Sequence, residues 1–444
     1  MNVLLKSESV SFWQAFMFWL KLGFISFGGP AGQIALMHEE LVVRRKWLSE
    51  KRFLHALNYC MVLPGPEAQQ LATYIGWLMH KTRGGVAAGV LFVLPSLFLL
   101  MGLSWLYIAY GQVTWVAGLF YGIKPAVAAI VLQAAYRIGS RVLQNNLLWA
   151  IAAASFVAIF ALNVPFPIIV LAAAIIGFVG GRLSPGSFRM GGGHAALAVS
   201  EGHALIGDDT PTPSHAVFTW KRLWQVLLAA AVLWLVPMSW LMLQFGWDHA
   251  LTQMSWFFTK AALLTFGGAY AVLPYVFQGA VEQFGWVTAT QMMDGLALGE
   301  TTPGPLIMVV AFVGFVGAYA QALLGPDSLF LAGALAATLV TWFTFLPSFI
   351  FILAGGPFVE STQNDLKFTA PLTAITAAVV GVILNLALFF GYHTIWPQGF
   401  GTPLDITSAL IAVAAAIALL KYKLNVMQVI AVCGLLGVLI KHWI

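Results

Sequence analysis

From Gly85 to Leu106 the chain runs without one charged side chain, and comparable apolar stretches recur near 85–110, 113–136, 146–162, 165–181, 221–244, 329–354, 370–392, 404–421 and 425–443. About 20 such residues in a helix cross the roughly 30 Å of hydrocarbon in a bilayer. Backbone in lipid must satisfy its own hydrogen bonds, which leaves helices or closed barrels. A barrel needs short segments of alternating polarity, and these stretches have no period of two. Charged residues make up 8% of the 444 positions and hydrophobic residues 60%, with a mean hydropathy of +0.88, whereas a soluble domain carries roughly a quarter charged residues. The expected class is an all-α polytopic membrane protein.

The opening residues, Met1 to Phe16, lack a basic stretch followed by a short apolar core and a cleavage site, so the N-terminus is expected to be retained. Cys60 and Cys433 are the two cysteines and stand far apart in apolar sequence. They offer no disulfide framework or metal motif and read as packing. The net charge of +5 is unevenly placed, with sixteen Lys/Arg in residues 1–222 and five in 223–444. In a membrane protein that asymmetry reads as topology rather than nucleic-acid binding.

Residues 12–80 and 255–325 are apolar but broken by Phe27-Gly28-Gly29-Pro30, Pro64-Gly65-Pro66, Phe266-Gly267-Gly268 and Pro303-Gly304-Pro305, so short or discontinuous helices are expected there. The breaks are repeats. At one constant offset of 239 residues, Phe18, Lys21, Phe27-Gly28-Gly29, Trp47, Leu57 and Pro64-Gly65-Pro66 recur as Phe257, Lys260, Phe266-Gly267-Gly268, Trp286, Leu296 and Pro303-Gly304-Pro305. Ser26 meets Thr265, and Leu94-Pro95-Ser96 recurs as Leu346-Pro347-Ser348 after a gain of about 13 residues. The stretch 183–220, with Gly191-Gly192-Gly193 and Thr210-Pro211-Thr212-Pro213, is too polar for lipid. The chain is therefore expected to divide into a first repeat (1–182), an aqueous linker (183–220), an extra spanning helix with its connection (221–254) and a second repeat (255–444).

The loop His38 to Arg52 carries five Lys/Arg and its partner Phe277 to Gln291 none, which places equivalent loops on opposite sides. The unmatched helix at 221–244 would turn the second repeat over if each half has an even number of spans. Two inverted-topology repeats with discontinuous helices flanking a midplane site are a pattern of secondary transporters.

Free N–H groups at the start of a broken helix, at the positive end of its dipole, suit an anion. Pro66 and Pro305 can occupy a first helical turn, and the glycines let backbone approach a ligand; Gly28-Gly29-Pro30 has the same logic. The competing reading is that Gly and Pro only permit kinks and close packing. Lys21 and Lys260 each precede the first glycine by seven residues inside apolar sequence; they either serve the substrate or snorkel to an interface. Glu67, Gln70 and Tyr74 share one helical face beside Thr73, a candidate pore lining. Glu67 reads equally as a proton or antiport coupling group and as a cap, and Glu300, before Thr301-Thr302, has the same ambiguity. Lys124, Arg137 and Arg141 flank a spanning segment, and Arg141 with Arg137 fits a cytoplasmic helix end better than a binding site. No HExxH, GxSxG or Walker motif occurs, so neither an enzyme nor a primary pump is expected.

The motifs FxxKLGFxSFGGPAGQI at 18–34, the basic Trp47 loop, LPGPEAQQLATYIGW at 63–77, LPSLFLL at 94–100 and the second FGG with TTPGP at 301–305 together resemble the chromate ion transporter family in its long, two-repeat form. The resemblance implies an inner-membrane carrier of bacteria that exports chromate, an oxyanion shaped like sulfate, and confers chromate resistance. It carries over to Gly28, Gly29, Pro30, Pro64, Gly65, Pro66 and Glu67 and to their partners; Pro30 becomes Ala269 and Glu67 becomes Leu306, against strict symmetry of the site. The expected substrate-binding set is Lys21, Ser26, Gly28, Gly29, Pro30, Pro64, Gly65, Pro66, Glu67, Gln70, Lys260, Thr265, Gly267, Gly268, Glu300, Pro303, Gly304 and Pro305. Chromate or a sulfate-like oxyanion and the lipid bilayer are the expected partners, a homodimer is left open, and no cofactor, metal or nucleic acid is expected. Sulfate uptake or exchange is the alternative within transport, and an anion pore the weaker one.

Overall fold

A computed structural model of the chain describes residues 10–188, 204–207, 210–211, 213–361, 369–401 and 403–443; Gly191-Gly192-Gly193 and Thr212 of the linker lie outside these. All the regular elements among the described residues are helices. α1 (Phe12–Ile25) starts at Ser11, whose hydroxyl accepts from the Gln14 N–H while the Gln14 side chain returns the bond, a capping box. It ends at Phe27-Gly28-Gly29, where Gly28 and Gly29 take positive φ of 90° and 71°. α2 (Gly29–His38) then turns back: Trp47, beyond its end, packs on Phe18 in the middle of α1 with ring centroids 5.2 Å apart. α3 (Glu50–Val62) runs in to Pro64-Gly65-Pro66. α4 (Glu67–Tyr110) runs out, folds at His80 and Lys81, whose backbone is non-helical, and returns. The two arms are antiparallel, since Gly76 packs on Gly84, and Gly89 on Thr73 and Gln69. His80 Nε2 lies 2.9 Å from the Val10 carbonyl, beside the start of α1. The first half thus opens with two helical hairpins whose tips are the two breaks.

α5 (Thr114–Val142), α6 (Asn146–Leu162) and α7 (Phe166–Leu183) complete the first half. α8 (Trp220–Phe245) follows the linker and has no equivalent earlier. The second half repeats the hairpins as α9 (Ala250–Leu263), α10 (Ala269–Phe277), α11 (Ala289–Thr301) and α12 (Val309–Ala320), with Phe257 on Trp286 at 5.6 Å in place of Phe18 on Trp47. α13 (Leu329–Ser361) matches the returning arm of α4, and α14 (Thr369–Ile395), α15 (Ile406–Leu420) and α16 (Val426–Trp443) match α5 to α7. α8 lies on α9 and α13, where Trp234 Nε1 donates to Thr259 Oγ1 at 3.1 Å and Trp342 Nε1 to the Leu233 carbonyl at 3.1 Å.

Among the described residues, seven helices are long and apolar enough to cross a bilayer, so the chain is a multi-pass membrane protein. The stretches at 146–162 and 404–421 form helices of only 17 and 15 residues, short for a straight crossing of about 20. The run at 85–110 is the second arm of the folded α4.

α5 to α7 and α14 to α16 make one bundle packed through small residues: Gly122 lies on the Cys433 backbone, Gly381 on Ala152, and Gly177 on Ala370 and Ala374. Both cysteines are buried. This bundle sits on the second-half hairpins, where the tilted rings of Phe277 and Phe389 pack with centroids 4.5 Å apart and Gln278 Oε1 accepts from the Phe166 N–H at 3.1 Å. The first-half hairpins meet the described part of the linker instead. Leu48 bridges Ile206, the Ser49 N–H donates to the Ile206 carbonyl at 3.1 Å, and Arg52 donates to the Thr210 carbonyl at 2.7 Å.

The long helices join the two sets of hairpins at opposite ends. α13 starts beyond the outer end of α12 and finishes at Glu360, which accepts from Arg52 at the base of α3 at 2.8 Å and from the Tyr74 hydroxyl. The second arm of α4 starts at the base of the first hairpins and reaches Tyr107, whose hydroxyl donates to Asp294 of α11 at 2.9 Å; Lys124 Nζ stands 3.7 Å from the same carboxylate.

Candidate functional site at the crossed helix breaks

The four tips meet in two pairs, each across the halves. The Gly65 N–H donates to the Thr265 carbonyl at 2.8 Å and the Gly304 N–H to the Ser26 carbonyl at 2.8 Å. Each Pro-Gly-Pro turn of one half is therefore bonded to the Phe-Gly-Gly turn of the other. Gly65 and Gly304 need positive φ, 127° and 102°, which a side chain disfavours. A Cβ on Gly65 would also stand 2.5 Å from Ser348 Oγ and 2.6 Å from Gln70 Nε2, and one on Gly304 2.7 Å from Ser96 Cβ. The third repeated motif, Leu-Pro-Ser, is thus carried onto the second: Ser348 to Gly65, and Ser96 to Gly304.

Serine and threonine hydroxyls inside helices ordinarily fold back on a carbonyl one turn earlier. Ser26 does so, donating to the Leu22 carbonyl at 2.6 Å, as does Thr265 to Ala261 at 2.7 Å. Ser96 and Ser348 do not: both are 1% exposed, and neither hydroxyl has a partner among the described residues. Beside them Gln33 Nε2 donates to the Gly304 carbonyl at 2.6 Å and Gln70 Nε2 to the Pro64 carbonyl at 2.8 Å, each leaving its Oε1 unpaired. A buried polar atom without a partner costs roughly 1–3 kcal/mol, and such atoms gathered at two glycines mark a place for a ligand. Ser96, Ser348 and Gln33 were not among the residues expected from sequence. The repeated Leu-Pro-Ser was the signal for the first two; Gln33 lies in the first-repeat motif but meets Val272 in the second.

The other expected residues distribute as follows. Gly28, Gly29 and Pro30 begin α2, with proline in its first turn; Gly267 and Gly268 stand before α10. Pro66 sits one residue ahead of α4, whose first residue is Glu67, and Pro305 one residue ahead of the 3-10 turn Leu306–Met308 that leads into α12. Pro64 and Pro303 lead into the two turns. Glu67 Oε1 lies 3.9 Å from the position of a Cβ on Gly268 and has no hydrogen-bond partner among the described residues. Beyond Glu67 the expected pore face is closed: Gln70, Thr73 and Tyr74 are 0% exposed, with Tyr74 turned to Glu360. Glu300, 6% exposed, accepts from the Tyr270 hydroxyl. Arg137 is not at a free helix end; its guanidinium stands 5.9 Å over the Tyr270 ring. Lys21 is exposed on the side of α1 opposite its buried face, and Lys260 lies 5.8 Å from the Trp256 ring on its own helix. Neither lysine bonds to the tips among the described residues.

Residues 13–178 and 252–438 match the family described as chromate transporter. The chain is 35% identical to a chromate transport protein of Pseudomonas aeruginosa over 97% of this chain and 93% of that one. It is 28% identical to one of Cupriavidus metallidurans over 96% and 92%, and 27% identical to a probable chromate transport protein of Synechococcus elongatus over 96% and 95%. No solved structure matches the chain. With both halves matched and the linker between them left out, the chain belongs to the chromate transporter family.

Proposed function

We propose that this protein is a secondary carrier of the bacterial inner membrane that exports chromate and thereby gives resistance to it. The single observation that carries this reading is the crossing of the tips, where two glycine turns bonded across the halves present two buried, unpartnered serine hydroxyls. A tetrahedral dianion fits such a place because it accepts hydrogen bonds in four directions, and hydrogen bonds to a charged group contribute about 1.5–3 kcal/mol each. Helix starts at Gly28, Gly268, Pro66 and Pro305 add dipole, each worth about half a charge. Lys21 and Lys260, five residues ahead of Ser26 and Thr265, supply potential along the approach to the tips.

The halves act as inverted repeats, the cytoplasm lying at the basic loop 38–52. The joining of hairpin bases to opposite ends of α13 and of the second arm of α4 supports this arrangement. Chromate counterflow in proteoliposomes of the purified protein tests the function. Saturable counterflow slowed by sulfate is expected, because neutral donors do not distinguish two tetrahedral dianions. Sulfate flux without chromate flux would assign the chain to sulfate exchange, and unsaturable conductance would make it a pore.

A further inference from the structure

α10 begins at Gly268 with no side-chain cap on its first turn, so its N–H groups form an uncompensated positive end. The acid that reaches it comes from the other half, Glu67 on the first turn of α4. Its half-buried carboxylate faces Gly268 and has no hydrogen-bond donor among the described residues. One turn along α4 stands Gln70, 0% exposed with its Oε1 unpaired and its Nε2 against Gly65, and from α13 the unpaired Oγ of Ser348, 1% exposed, is directed at the same glycine. Gly65 is itself bonded to Thr265, three residues before Gly268. The carboxylate therefore occupies the edge of the place where the oxyanion would sit. In the first half the equivalent helix start, Gly28, is also uncapped, and nothing stands within 4 Å of a Cβ placed there or on Gly29; the residue in register with Glu67 is Leu306.

We propose that Glu67 is a built-in competitor for the oxyanion and that a proton taken up from water by its carboxylate admits the anion, so that oxyanion and proton are carried together. This rests on reading the crossed tips as the oxyanion site. A carboxylate and a dianion at one uncapped helix end repel strongly in a low-dielectric setting. The groups around Glu67 offer no counter-charge. On α3 the facing group is the Cys60 thiol; on α10 and α11 Tyr270 and Glu300 bond to each other, and Arg137 of α5 is directed at that pair; Thr376 of α14, beside Gly267, donates to the Leu372 carbonyl. Protonation removes the repulsion, and by linkage the anion must draw a proton onto Glu67 to the same extent.

The test uses the full chain in proteoliposomes with the membrane potential clamped at zero and chromate as the probe. Wild type should accumulate chromate on the side toward which an imposed pH gradient drives protons. Glu67→Gln should lose this pH-driven accumulation while still exchanging chromate, with half-saturation lowered severalfold because the competitor is gone. Accumulation by Glu67→Gln equal to wild type, or loss of its exchange with the protein intact, would overturn the proposal. Should that variant fail to fold, proton uptake by wild type on addition of chromate in weakly buffered detergent decides: uptake supports the proposal, and its absence overturns it. Wild type that exchanges chromate but ignores the pH gradient refutes the coupling alone, whereas wild type with no chromate exchange refutes the transport reading itself.

Discussion

The first pair of hairpins and the second are built from the same repeated residues, yet one tip is open and the other closed. Phe27 is 40% exposed, and Gly28, Ala31 and Gly32 are uncovered by the rest of the chain. Their equivalents pass into α10, where Tyr270 is 7% and Ala271 0% exposed beneath α7 and α14. The six-helix bundle has two similar sets of hairpins to rest on and rests on the second. In the proposed carrier, moving the bundle from the second set of hairpins to the first would expose the site to the other side.

The largest effect expected concerns what the halves share. Gly65→Leu and Gly304→Leu should each lower chromate flux by about a hundredfold or more, since displacing a binding group by 1 Å is enough for a loss of that order. Both proteins should remain in the membrane, as judged by immunoblot of washed membranes. Loss in one half only would confine the site to that half. Next, linking Phe277→Cys to Phe389→Cys in a chain lacking Cys60 and Cys433 should hold the bundle on the second hairpins and stop counterflow, with recovery on reduction. Undiminished flux in the linked protein would make the asymmetry static.

Single hydroxyls should count for less. Ser96→Ala and Ser348→Ala should each raise half-saturation for chromate roughly tenfold, about 1.4 kcal/mol, while Ser26→Ala, whose hydroxyl is already bonded to Leu22, should change little. An equal effect at all three would remove the special role of the unpaired pair. The smallest effect is expected at the lysines. Lys21→Gln and Lys260→Gln should slow uptake by about threefold, and more at low salt, as long-range charge does. A far larger, salt-independent loss would place either ammonium at the tips.

Much of this architecture could be read before any coordinates. Seven of the nine apolar runs gave helices long enough to span, and a constant register gave the repeat and all four tips. The crossing could not be read, because register identifies equivalent residues and says nothing of which equivalents touch: Gly65 bonds to Thr265, not to any neighbour in its own half. Nor could the hairpins, since Gly-Gly allows a helix either to continue past a break or to double back. The fold in α4 carries no Gly or Pro; it rests on Lys81 at a φ of 58°, held by the close packing of Gly76 on Gly84. The lysines were selected for standing in apolar sequence, but the distance along a helix from Lys21 to Ser26 does not fix which way the side chain points, and here it points away.

The proposed opposite orientation of the halves is the premise of the alternating carrier, so its test is the most direct. Lys46→Cys and Gly285→Cys stand at equivalent positions of the basic loop and its uncharged partner. Each would be placed singly in a chain lacking Cys60 and Cys433 and treated in intact cells with a thiol reagent that does not cross membranes. Labelling at 285 alone, with 46 reacting only after the membrane is opened, is the expected result; labelling of both from outside, or of neither, would contradict the account.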